Sequence, residues 1–133
     1  MKLLTHLTIY LFLSVFLVNC GGDEEFSQDT SDISFRVIIS PGCKASAIFL
    51  VSADDQTTVT EDDIKDTWTS DTYTMKRSDA LITAVALPDE DDPNAPEPGE
   101  VGTLTVQILV DGTVKKEKSE TAEEPGVSFF LED

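Results

Sequence analysis

The sequence predicts an all-β fold, an antiparallel β-sandwich of about seven or eight strands. Three observations predict it. Residues 103–110 alternate, with Leu104, Val106, Ile108 and Val110 on one face and Thr103, Thr105 and Gln107 on the other. Asp111-Gly112 follows at once, the dipeptide that suits a two-residue hairpin turn because both central residues need positive φ. No apolar stripe of 3.6-residue period runs longer than a single turn anywhere beyond the first 20 residues.

Residues 1–19 stand apart from that pattern. Lys2 precedes an apolar run from Leu7 to Val18 broken only by Thr8 and Ser14, the arrangement of a secretion signal. The run is shorter than the ~20 residues a membrane-spanning helix needs, and a cysteine closes it. Leu17-Val18-Asn19-Cys20 resembles the processing site of bacterial lipoproteins. That resemblance implies cleavage after Asn19 and acylation of Cys20, and each buried methylene of the acyl chains would contribute about 0.8 kcal/mol to anchoring. Asp23, Glu24 and Glu25 resemble the acidic export signal of lipoproteins in the Bacteroides and Flavobacterium group. Residues 20–32 are otherwise rich in Gly, Ser, Asp and Glu, the composition of a flexible tether.

One domain is expected over residues 33–133. Its first strands fall at 33–40 and 44–52, separated by Pro41-Gly42. Cys43, at the second strand's start, reads as a small core hydrophobe, as an exposed thiol or as one half of an intermolecular bridge. With Cys20 acylated it has no partner within the chain. A third strand is expected at 57–60, followed by one helical turn over 60–65 with Thr60 as its cap. A fourth spans 68–76 and a fifth 80–87. Residues 45–51 and 80–87 are apolar on both faces, which predicts central strands whose outer side is also partly covered.

Residues 88–100 hold four of the six prolines and cannot continue a strand, because proline lacks the amide donor. They are expected to form a solvated surface loop. Asp89, Asp91 and Asp92 are oxygen donors of the kind calcium uses, but the spacing matches no calcium-loop signature. Strand 103–110 then pairs with a lysine-rich edge strand at 114–121, and a last strand occupies 126–131.

Composition narrows the function. The chain has 26 acidic and 9 basic residues, a net charge of −17. All 26 acids follow Cys20 and only Lys2 precedes it, so a processed chain keeps 26 against 8, or −18. That charge argues against nucleic acid, which is held by clustered Lys and Arg, and against direct contact with anionic headgroups. The single histidine, His6, lies in the signal segment, so no Ser-His-Asp or Cys-His pair can form beyond it. A zinc site would have only Cys43 and carboxylates to use. No catalytic residue, metal ligand or cofactor is assigned, and a non-enzymatic protein is expected. Trp68 stands among Asp66, Thr67, Thr69 and Ser70, so it reads either as a core residue closing one end of the sandwich or as a surface anchor or sugar-stacking platform, with Tyr73 nearby.

Ala45-Ser46-Ala47-Ile48-Phe49, then Trp68, then Tyr73-Thr74-Met75-Lys76-Arg77-Ser78-Asp79, then the run from Gly102 through Asp111-Gly112 resemble, in that order, the MmpS-type transport accessory domain. The resemblance implies an extracytoplasmic, immunoglobulin-like β-sandwich that acts beside another envelope protein. The expected protein is therefore an outer-membrane lipoprotein, periplasmic or surface-exposed, that works as an accessory or assembly factor. A surface module binding glycan or another ligand is the alternative.

Overall fold

Alternation of apolar and polar residues builds two sheets whose inner faces share one core. The computed structural model describes residues 29–52, 54 and 56–131. Among these residues there are nine strands: β1 (Thr30–Ile39), β2 (Cys43–Ser52), β3 (Thr57–Ile64), β4 (Thr67–Thr69), β5 (Tyr73–Lys76), β6 (Leu81–Pro88), β7 (Gly102–Val110), β8 (Thr113–Ala122) and β9 (Gly126–Phe130). Sheet A has the order β4-β1-β7-β8, with β5 also beside β1; sheet B has the order β3-β2-β6-β9. Every pairing is antiparallel. The sandwich is thus the observed arrangement.

Sheet A turns large side chains inward: Ile33, Phe35 and Val37 from β1, and Leu104, Val106, Ile108 and Val110 from β7 are all buried. Phe35 lies opposite Ile108 and Val37 opposite Val106 in the ladder. Sheet B meets them with smaller ones, Ala45 and Ala47 on β2 and Ala84 and Ala86 on β6, interleaved with Phe49, Ile82 and Val127. Large against small lets the layers interdigitate without voids. Each fully buried Phe, Ile, Leu or Val contributes roughly 1.5–3 kcal/mol relative to exposure.

The Asp111-Gly112 turn forms as its sequence predicts. Val110 pairs with Thr113, and the two turn residues have φ of 51° and 79°. The register of β7 with β8 then shifts between Ile108 and Leu109, so Lys115 is extra. A bulge of this kind twists an edge strand and, with the lysines of β8, discourages further pairing.

Four expectations need correction. Strand β1 begins at Thr30, ahead of residue 33, because Thr30, Ser31 and Asp32 pair with Lys76, Met75 and Thr74. The helical turn expected over 60–65 is absent: β3 runs to Ile64, which pairs with Ala45, and Asp63 and Asp66 take positive φ of 55° and 57°. Aspartate tolerates that region better than most residues, so the chain bends there without a helix. The single strand expected over 68–76 is two strands. Between them Ser70 takes over the ladder, its N–H donating to the Phe35 carbonyl at 2.8 Å and its Oγ accepting from the Phe35 N–H at 2.9 Å. A serine side chain that serves backbone groups replaces regular pairing locally. The fourth correction concerns the outer side of sheet B and belongs with the site.

Candidate functional site

On β6 the inward residues Ile82, Ala84 and Ala86 alternate with outward Leu81, Thr83, Val85 and Leu87. Ile48 on β2 lies opposite Thr83, and Phe130 on β9 opposite Leu81, so β-sheet register gathers these outward side chains on one face. Among the described residues no strand or helix lies over them: Ile48 is 49% exposed, Val85 48% and Phe130 51%, with Leu81 and Leu87 also exposed, and the Lys116 ammonium stands 5.5 Å from the Phe130 ring. The expected partial cover of strands 45–51 and 80–87 is therefore not present among the described residues. The sequence signal was the double-sided apolar pattern itself. Such a face marks an interaction surface when it is contiguous.

Sheet A's outer face is built otherwise. Arg36 donates from Nε to Thr69 Oγ1 at 3.2 Å and from Nη1 to Gln107 Oε1 at 3.3 Å, and Gln107 Nε2 donates to Glu117 Oε2 at 2.5 Å. Thr103 pairs with Thr121 at 2.9 Å and Thr105 with Ser119 at 2.7 Å. These cross-strand polar pairs satisfy one another and leave little to offer a partner.

One end of the apolar face opens onto the loop 88–100. It is a surface loop as expected, with most of its residues exposed, and it is also tied to the sandwich. Asp89 N–H donates to the Gly42 carbonyl at 2.9 Å, Asp92 N–H to the Asp89 carbonyl at 2.8 Å and Ala95 N–H to the Asp92 carbonyl at 3.0 Å. Asp92 Oδ1 accepts from both the N–H and Nδ2 of Asn94, and Glu100 Oε2 accepts from the Glu97 N–H at 2.8 Å. Gly42 has φ of 79°, and a Cβ there would lie 2.1 Å from the Asn94 carbonyl oxygen, so only glycine lets the loop close on β2.

Asp89 anchors this end. It is 2% exposed, with Lys65 Nζ 2.5 Å from Oδ2 and Lys44 Nζ 3.8 Å from Oδ1. Lys44 also lies 3.8 Å from Asp63. The Lys65 ammonium beside it holds the Asp89 carboxyl below the ordinary aspartate range, against the opposing effect of burial. Asp89 in turn raises the Lys65 pKa. Beyond this pair the loop, β6 and Glu123-Glu124 border an open cleft of about 730 Å³.

The sequence-predicted residues fall elsewhere. Cys20, Asp23, Glu24 and Glu25 lie outside the described residues. Trp68 and Tyr73 are half-buried against the core, their rings 5.7 Å and 5.9 Å from Phe49, which also stacks 5.0 Å from Phe35. Burial pushes the Tyr73 hydroxyl up, with Asp71 and Glu61 adding to it. Cys43 is buried and free. Burial raises its thiol pKa and Ser40 partly offsets this, an environment that disfavours the thiolate.

Among the described residues no three or more His, Cys, Asp or Glu side chains converge on a possible metal site. Among them, too, no helix is long and apolar enough to cross a membrane. No protein-family model matches this chain, and no curated protein matches it either.

Proposed function

We propose that this protein is a non-enzymatic, lipid-anchored binding module of the bacterial envelope, an accessory or assembly factor that docks another envelope protein on the outer face of sheet B. The carrying observation is the exposed row of Ile48, Leu81, Val85, Leu87 and Phe130 on one face of an acidic domain whose opposite face is closed by polar pairs. An apolar surface costs solubility and is kept where a partner covers it. The MmpS-like, immunoglobulin-like assignment fits the two-sheet arrangement and the late hairpin, and Cys20 supplies the membrane attachment.

The face suits the role better than three of the four sheet edges do. Strand β8 is bulged and lysine-rich, the pairing of β3 with β2 has two register irregularities, and β4 and β5 are short and interrupted. Each device blocks strand addition. The glycan-platform alternative has less support, since Trp68 and Tyr73 rest on Phe49.

Two experiments test the reading in cells. A photo-cross-linking residue at position 85 should yield a discrete adduct with an envelope protein, and the same residue at position 105 should not. Equal adducts from both positions, or none from position 85, would end the proposal. Cys20→Ser should release the protein from the membrane fraction, and retention would remove the lipid anchor from it.

A further inference from the structure

The apolar face and the acidic cleft meet at Leu87, which is exposed on the outer face of β6 and also lines the cleft. The cleft's acids are Glu90, Asp91, Glu97, Glu100, Glu123 and Glu124; its one cation, Lys44, is within ion-pair range of Asp63 and Asp89. Pro88 and Pro98 add apolar wall. Hydrogen bonds to Gly42 and between Glu97 and Glu100 hold the walls in place before any partner arrives. A partner that covers Val85 and Leu87 must therefore carry charge of the opposite sign just beyond its apolar side chains.

We infer that the occupant of this surface is an extended protein segment that combines apolar side chains with Lys or Arg, the apolar ones over Ile48, Val85 and Leu87 and a cationic one among the cleft carboxylates. The inference rests on the docking face proposed above and names its partner's chemistry. Charge decides between occupants. A second copy would bring a chain of net charge −17, whose cationic run 115–118 includes Lys116, engaged with the Phe130 carbonyl at 2.8 Å. An anionic membrane surface would meet the same carboxylates with like charge. A cationic segment gains attraction from both, and that attraction weakens as salt screens it.

The test uses the full-length chain in detergent and three synthetic peptides of about ten residues, a length that spans a typical sheet face. One alternates lysine with valine, one glutamate with valine and one lysine with serine. The lysine–valine peptide should bind at least about tenfold more tightly than either other peptide, and added salt should weaken it. The exposed triple substitution Glu90→Gln/Glu97→Gln/Glu123→Gln should reduce that binding by about tenfold while the melting temperature stays unchanged. Val85→Ser/Leu87→Ser should weaken it similarly.

Equal binding of the lysine–serine peptide would reduce the effect to ion exchange and overturn the inference. Equal binding of the glutamate–valine peptide would overturn the charge assignment while leaving the position-85 adduct intact. Loss of that adduct would instead overturn the face itself, so the two failures are distinguishable.

Discussion

On the outer face of sheet A, Arg36, Gln107 and Glu117 are linked side chain to side chain across three strands; the corresponding rows of sheet B carry Ile48, Val85 and Phe130 facing water, with Thr83 and Ser128 as a hydrogen-bonded pair between them. The inner faces cooperate in one core, so stability does not demand this asymmetry. A polar row on β6 would serve the fold as well as the apolar one. The difference teaches that sheet A's outer face is finished by its own contacts, whereas sheet B's outer side chains find no such partners among the described residues.

The largest expected effect tests whether the two sheets form one unit. Phe49→Ala removes a ring that touches Phe35, Trp68 and Tyr73, and should cost about 3–5 kcal/mol. Urea unfolding should remain a single transition, and two transitions would mean that the faces belong to separately stable layers. Next comes Gly42→Ala, which forces a Cβ into the Asn94 backbone at positive φ. A loss on the order of 1–3 kcal/mol is expected, together with faster proteolysis within 88–100. If the loop stays protected, it is held by something other than its closure on Gly42.

A smaller pair of substitutions compares the outer faces directly. Gln107→Leu breaks two side-chain links on sheet A and should cost roughly 0.5–1.5 kcal/mol. Val85→Thr on sheet B should change stability by no more than about 0.5 kcal/mol. A core-sized loss at position 85 would mean that the apolar face is already covered within the chain.

The subtlest effect is a change in pH dependence near the cleft. Asp89 has a depressed pKa, so its contribution is present above its unfolded value of about 3.9 and is lost as pH falls through the lower folded one. Lys65 has a raised pKa, so its share is complete below an unfolded value of about 10.4 and is lost as pH rises through the higher folded one. In Lys65→Gln, burial should then dominate at Asp89 and move the acid limb of a melting-temperature profile to higher pH. An unmoved acid limb would show that the pair does not couple to folding.

Much of the fold was legible because alternation is a direct record of a half-buried strand. Leu104, Val106, Ile108 and Val110 are buried as their spacing requires, and Asp111-Gly112 turns as its φ preference requires. The extension of β3 was hidden because Glu61, Asp62 and Asp63 look like a helix start, and only pairing with β2 makes them a strand. The break at Ser70 was hidden because a side chain substituting for a ladder bond leaves no periodic trace. Of the candidate site, the apolar residues of 45–51 and 80–87 were visible in the sequence, yet a covered outer face and an open one are written in the same letters. The burial of Asp89 depends on Lys65 and Gly42, each distant in sequence, and no local pattern announces it.

The antiparallel ladder between β1 and β7 joins Arg36 to Gln107, 71 residues away. Loop closure over that separation must precede the central pairing of sheet A, and such non-local closure is slow. Sheet B waits as well, since β6 is flanked by β2 and β9. Only the hairpins β2–β3 and β7–β8 pair strands that are consecutive along the chain. A nascent chain therefore cannot complete either sheet until its last strands, β8 and β9, have been made, so the sandwich closes after synthesis of the domain rather than during it.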